Sequence, residues 1–286
     1  MFGVTGATGQ LGQKVIKSLL SRVSADQIVA LVRDPAKAGP LGVQARAADY
    51  FVPASLEDSL TGVQSLLLIS SSSMENRAQQ HENVINAAKK AGVQHIVYTS
   101  LLHADRWTHW FSGDHTRTEA ALKASGVTYT ILRNGWYWEN HTVAIAPSLA
   151  HGALIGSAGE GLVSWASRQD FADAAVRVLA TPGHERKTYE LAGDKAYRLA
   201  DLAAEVTRQT GKPYSYQNLT EAQHAGVLEQ IGLPKMLAEV VAGVEAQGVS
   251  TGVLHDDDGA LSQLIGRPTT TLSEAVAEAL AAPVHM

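Results

Sequence analysis

The chain contains no cysteine. That excludes disulfides, thiolate metal sites and thiol nucleophiles together, and it fits a reducing compartment. It also lacks an excess of positive charge: 23 Lys and Arg stand against 28 Asp and Glu, for a net charge of −5. Such a balance argues against a nucleic-acid surface, though not against a small basic pocket for a phosphate. No apolar run approaches the length of a membrane span. "MFGVTGATG" enters a motif at once, without a charged and then apolar leader, so the expectation is a cytoplasmic protein. The nucleophile elbow G-x-S-x-G and the metal motif H-E-x-x-H are absent, and His103, His109 and His115, six apart, do not share a helical face. No metal site is expected. "HDDD" at 255–258 lacks the rest of a calcium-loop pattern.

What is present is alternation. Short apolar runs at 2–5, 28–32, 43–47, 65–69, 95–98 and 128–132 are separated by amphipathic stretches. Leu11, Val15, Ile16, Leu19 and Leu20 line one such face, and Val84, Ile85 and Ala88 another, which Gly92 ends. Strands apolar on both faces, alternating with helices, predict a doubly wound parallel sheet of Rossmann type. The pattern loosens after Arg133, where "HGALIGSAGEGLVSWAS" reads as short extended pieces. Helices are expected over 171–179, from Leu199, over 221–231 and over 236–247, with strands at 188–191 and 214–217. The expected organisation is a dinucleotide-binding domain over 1–133 and a smaller α/β lobe over 134–286 that returns segments to the first domain.

"VTGATGQLGQ" spaces Gly6, Gly9 and Gly12 three apart, after a strand and at the opening of a helix. Glycines permit a tight turn and close backbone approach to a pyrophosphate, and the helix N-terminus offers free amides and the positive dipole end. At the end of the second strand, "IVALVRDP" places Arg33 before Asp34. An arginine there pairs with a 2′-phosphate, which favours NADPH over NADH.

"TGATGQLG", "LLLISSSS", "HENVINAAK", "YTSLLHAD", "DHTRTE" and "LRNGWYWEN", in that order, resemble the NAD(P)H:quinone oxidoreductases of the NmrA-like group of atypical short-chain dehydrogenases. "YELAGD", "YQNL" and "LIGRPTTTL" carry the resemblance through nearly the whole chain, while the related triphenylmethane dye reductases are less similar at "SSSS" and "NGWYWEN". The resemblance implies a smaller C-terminal lobe, a cleft between lobes, and cofactor contacts from Gly6, Thr8, Gly9, Gln10 and Leu11, then Arg33, Ser70, Ser71, Ser72, Gln80, and Gly135, Trp136, Tyr137, Trp138, Glu139 and Asn140. The stretches 38–56 and "RWTHWFSG" depart from the pattern.

The usual short-chain enzyme carries Tyr-x-x-x-Lys on one helix. None of the eight tyrosines here has lysine four positions on. The corresponding helix presents His115 and Glu119, which share a face, and Ser100 follows the "IVYTS" strand where the family serine stands. Ketone reduction needs a proton delivered in step with hydride. A quinone yields a stabilised hydroquinone anion that water protonates later, so holding a flat acceptor beside nicotinamide suffices. His115 and Tyr137 are the candidate proton donors, with a solvated or structural His115–Glu119 pair as the alternative. Trp107, Trp110 and Phe111 are candidate walls for the planar acceptor, as are Trp136–Trp138, and Tyr137, Glu139 and Asn140 carry polar groups toward the nicotinamide. The expected function is NADPH-dependent quinone reduction. An NADP-binding redox regulator and a dye reductase are the alternatives, and a homodimer is left open.

Overall fold

The computed structural model describes residues 1–73 and 76–282. Its strands are β1 (Phe2–Thr5), β2 (Ile28–Val32), β3 (Gln44–Ala47), β4 (Ser65–Leu68), β5 (His95–Leu101), β6 (Thr128–Asn134), β7 (Ala153–Gly156), β8 (Thr188–Leu191) and β9 (Ser215–Asn218). The helices are α1 (Gln10–Leu20), α2 (Pro53–Ser59), α3 (Arg77–Lys90), α4 (Gly113–Ala124), α5 (Glu139–Thr142), α6 (Ile145–Ser148), α7 (Arg168–Ala180), α8 (Leu199–Thr210), α9 (Glu221–Gln230), α10 (Lys235–Gly243), α11 (Ala260–Ile265) and α12 (Leu272–Ala281). The chain divides into two compact units. The first comprises residues 1–104, 113–134 and 168–190; the second comprises 105–112, 135–167 and 191–286.

In the first unit a seven-stranded sheet runs in the order β3-β2-β1-β4-β5-β6-β8, with β1 to β6 pairing in parallel. Val29 and Leu31 of β2, Leu66 and Leu68 of β4, and Ile96 and Tyr98 of β5 project to one face, where they meet Val84, Ile85 and Ala88 of α3 and Leu122 of α4. The alternate strand residues Ile28, Ala30 and Leu67 are equally buried. A strand covered on both faces reads as a continuous apolar run, which is why period-two alternation is missing from "IVALV". Each such aliphatic side chain, fully buried, contributes about 1.5–3 kcal/mol. The chain leaves β1, builds outward through β2 and β3, then returns to lay β4 on the other side of β1. That reversal opens a crevice beyond the carboxyl ends of β1 and β4, where open α/β sheets bind ligands.

The second unit contains the parallel pair β7–β9 with α8 against both strands. The glycine-rich segment after His151 supplies β7 and two isolated bridges, Tyr137 with Ala166 and Val163 with Tyr197. The helix expected over 236–247 is α10 followed by a π-helical turn, Val244–Gly248. The widened turn sits where two glycines admit neighbours. A Cβ on Gly248 would reach within 2.8 Å of Trp107 Cη2, and one on Gly243 within 3.0 Å of His109 Nε2.

Candidate functional site

A cavity of about 660 Å³ opens at the β1/β4 switch point, wholly within the first unit. The glycine cradle forms one wall. Gly6 takes φ +59°, a left-handed conformation that disfavours other residues. The Gly9 amide donates to the Gly6 carbonyl at 2.9 Å. Gly9 caps α1 in an extended conformation, and the helix has neither a side-chain cap nor an acidic residue in its first turn. The free amides of that turn are therefore left for an anion. The other two glycines differ in what they tolerate. A Cβ on Gly12 would collide with the Gly6 carbonyl and lie 2.7 Å from Ala7 Cα, so Gly12 is required by helix–strand packing. A Cβ on Gly9 would meet only the Gly6 carbonyl, at 3.2 Å, a tight contact that a shift of a few tenths of an ångström relieves, so packing constrains Gly9 less than Gly12.

Arg33 is exposed and lines the same cavity. Asp34 is directed elsewhere: its carboxylate accepts from the Ala36 amide at 3.1 Å, capping the short helix Pro35–Leu41, and lies 3.8 Å from Lys37 Nζ. The cavity rim thus presents a cation, and the adjacent carboxylate is committed to a cap. Arg33→Ala is expected to weaken NADPH binding by about ten- to a hundredfold, the value of one charge-assisted bidentate contact. NADH binding should change little; equal losses for both nucleotides in a fluorescence titration would contradict the role.

The other walls come from strand ends. Ala48, Asp49, Tyr50 and Phe51 follow β3, and Ile69 to Ser73 follow β4. Phe51 is 60% exposed, an accessible flat ring beside the cavity. The Tyr50 hydroxyl donates to the Ile69 carbonyl at 3.1 Å, joining the two strand ends. Gln80 is 2% exposed, lines the cavity, and its Nε2 has no hydrogen-bond partner among the described residues. A buried unpaired amide donor costs about 1–3 kcal/mol, so it fits a polar ligand in that space. The glycine cradle and this donor fit a dinucleotide.

The cavity therefore gathers Gly6, Thr8, Gly9, Gln10, Leu11, Gly12, Arg33, Ser70, Ser71, Ser72 and Gln80. Sequence reasoning missed Asp49, Tyr50 and Phe51. Their signal was position, since they follow a strand whose carboxyl end faces the switch point.

On α4, His115 and Glu119 have different partners. His115 is buried, with Nδ1 2.9 Å from the Tyr98 hydroxyl. Burial, reinforced by the Arg77 cation and by His81, lowers its pKa to about 3, so the ring is neutral at ordinary pH. Burial raises the pKa of Tyr98. Glu119, also buried, accepts from the Ser100 hydroxyl at 2.7 Å and from Arg133 at 2.9 and 2.8 Å. Arg133 reaches on to Glu190 at 2.8 Å, and Glu190 accepts from the His103 amide at 2.9 Å. These carboxylate bonds, chiefly those to Glu119, hold the guanidinium pKa above its usual value. At the end of β6, both amide atoms of buried Asn134 lack partners among the described residues.

Gly135–Asn140 and Trp107–Phe111 belong to the second unit. The Gly135 amide donates to the Leu191 carbonyl at 2.7 Å. Trp138 is 1% exposed, stacks on Trp165 at 4.8 Å between ring centroids, and donates from Nε1 to the Thr270 carbonyl at 3.0 Å. Trp136, Tyr137 and Glu139 are half-buried and Asn140 is exposed. Trp107 packs against Gly248, Phe111 is half-buried, and Trp110 is 55% exposed. On α5, His141 Nε2 lies 3.1 Å from Glu245, whose other oxygen accepts from the Ser157 amide at 2.7 Å. That buried pair was not anticipated, because Glu245 lies on the unforeseen π-helical turn.

A family model described as NAD(P)H-binding matches residues 6–182. Quinone oxidoreductase 2 of Escherichia coli is 54% identical over 279 residues, covering 96% of this chain and 97% of that protein. The crystal structure of an E. coli NADPH-dependent quinone oxidoreductase complexed with NADPH superposes with a TM-score of 0.94 at 53% identity, covering 98% of this chain and 100% of that one. The Citrobacter triphenylmethane reductase complexed with NADP(H) gives a TM-score of 0.94 at 36% identity over the same shares. The glycine cradle, the switch-point cavity and these full-length likenesses agree: the chain belongs to the NAD(P)H-binding family.

Proposed function

We propose that this protein reduces quinones with NADPH. The observation that carries the reading is the commitment of groups on and beside α4. Ser100 spends its proton on Glu119, Glu119 is ionically paired with Arg133, and His115 is neutral and buried against Tyr98. These three positions therefore supply no ready acid for a developing alkoxide. That suits an acceptor whose reduced anion is aromatic and stable, as does the likeness to a quinone oxidoreductase along nearly the whole chain.

In this reading NADPH supplies hydride to the quinone ring. The Gly6–Gly12 turn and the open end of α1 hold the pyrophosphate. Arg33 would hold the 2′-phosphate, and the exposed Phe51 ring would serve the adenine end. Ser70, Ser71, Ser72 and Gln80 provide polar contacts to the middle of the dinucleotide. Gly135–Asn140 serves the nicotinamide end, with Tyr137, Glu139 and Asn140 supplying its polar groups. Trp110 and Phe111 border the acceptor, and buried Trp107 and Trp138 support those two segments from beneath. Water protonates the product.

His115→Ala is expected to retain quinone reduction. The loss should stay below the roughly 10²–10⁴-fold that follows removal of a general acid. The pH profiles of variant and wild type should run parallel through neutrality. A larger loss with NADPH affinity and Tm intact would identify His115 as the proton donor. The functional reading itself is tested by product analysis under anaerobic conditions, where hydroquinone should appear in equimolar amount with NADPH consumed. NADPH binding without hydroquinone formation from any quinone would favour a redox regulator instead.

A further inference from the structure

The segment following β4 holds its backbone by an unusual route. The chain has left the sheet at Leu68, yet the next amides are satisfied inward by side chains. Ile69 N–H donates to Thr5 Oγ1 at 2.9 Å, Ser70 N–H to Thr99 Oγ1 at 2.9 Å, and Ser71 N–H to His81 Nε2 at 2.9 Å. Ser73 N–H donates to Ser71 Oγ at 3.1 Å. With these amides bonded to the protein, the backbone of a segment that lines the cavity is fixed from within. Threonine hydroxyls accept in any rotamer, but an imidazole nitrogen accepts only when it carries no proton. The position of Ser71 therefore depends on one tautomer of one ring.

The surroundings of His81 specify that tautomer independently. Thr118 Oγ1 gives its own proton to the Asp114 carbonyl at 2.7 Å, so toward His81 Nδ1, 2.9 Å away, it acts as acceptor. The proton between them must then reside on Nδ1, leaving the Nε2 lone pair for Ser71. The opposite tautomer would set two N–H groups against each other at one nitrogen and two lone pairs against each other at the other. The ring is fully enclosed and held edge-on by Tyr98 at 5.3 Å and Tyr50 at 6.3 Å. Tyr50 is the residue that also grips the Ile69 carbonyl. Burial and the Arg77 cation lower the His81 pKa to about 3, so the neutral ring persists at ordinary pH.

We infer that His81, as its Nδ1–H tautomer, is a positioning residue for the cofactor: it holds Ser71, and through Ser71 Oγ also Ser73, in the shape that receives the dinucleotide. The role rests on the proposal that NADPH occupies this cavity. His81 touches no reacting atom, so the loss on its removal falls on KM for NADPH and not on kcat.

Nitrogen-15 NMR of the histidine side chains in the wild-type protein tests the tautomer without a variant. The expected spectrum has His81 Nδ1 protonated and Nε2 bare, and an Nε2–H ring would overturn the proposal. Kinetics of two variants test the consequence. His81→Leu removes the acceptor of the part-buried Ser71 amide and should raise the NADPH KM by up to about tenfold, the order of one lost hydrogen bond. His81→Gln retains an acceptor at similar reach and should recover most of that loss. An unchanged KM in folded His81→Leu, or a loss confined to kcat, would overturn the role. If His81→Leu does not fold, the wild-type tautomer and the Gln variant still decide. Failure of wild-type protein to bind NADPH would instead overturn the cofactor reading on which the role depends, and the role with it.

Discussion

Gly9→Val is expected to abolish NADPH binding while leaving the fold close to wild type, and Gly12→Ala is expected to do damage of the other kind. Gly9 has an extended backbone, φ −76° and ψ 167°, which valine adopts readily. Its added Cβ meets only the Gly6 carbonyl, at 3.2 Å. The side chain then stands over the first turn of α1, where the pyrophosphate must approach. Losing two charge-assisted amide contacts at about 1.5–3 kcal/mol each predicts a fall in affinity of roughly 10²–10⁴-fold. Gly12→Ala instead drives a methyl into the Gly6–Ala7 backbone and separates α1 from β1, so it should lower Tm before it affects anything else. Calorimetry and a binding titration on both variants separate the two. Loss of Tm in Gly9→Val comparable to that in Gly12→Ala would mean that the space beside Gly9 is needed by the protein and not by a ligand.

Glu119→Ala should be the most destabilising substitution around α4. Glu119 and Arg133 are buried, with side chains 4% and 9% exposed, and joined by two hydrogen bonds. Removing one partner of a buried pair costs about 3–5 kcal/mol, because the remaining charge loses its compensation. Arg133 keeps Glu190, which is 26% exposed, so the loss should fall near the lower end of that range. Ser100 would also lose its acceptor. Glu119→Gln, which retains an oxygen for Ser100, should fall between wild type and alanine in denaturant unfolding. An alanine variant as stable as wild type would show that the pair contributes no net stability, as buried pairs sometimes do when water replaces the lost group.

The sheet was legible because parallel strands buried on both faces leave contiguous apolar runs, and all six runs of the first half became strands of the sheet. The cradle was legible because backbone geometry forces glycine at Gly6 and packing forces it at Gly12. The partners of side chains were not. His115 and Glu119, read as a pair from their spacing, bind Tyr98 and Ser100–Arg133, because β5 and β6 bring in residues distant in the chain. The same cause hid the tie between His81 and Ser71, which crosses from α3 to the end of β4. The aromatic cluster 107–111 shows the limit of composition. Trp107 and Trp110 look alike in sequence, yet Gly248 makes room for one and the other stays exposed. The π-helical turn was invisible because its apolar spacing continues that of α10.

On the proposed function, NADPH held in the switch-point cavity reduces quinones without a protein acid. Initial rates of NADPH oxidation by the wild-type protein, taken across benzoquinones, triphenylmethane dyes and simple ketones, test it most directly. The highest kcat/KM is expected for the quinones and little turnover for ketones, whose alkoxide product has no comparable stabilisation. Faster turnover of ketones than of benzoquinones would contradict it, since a protonated group would then have to stand where Ser100, Glu119 and His115 leave none.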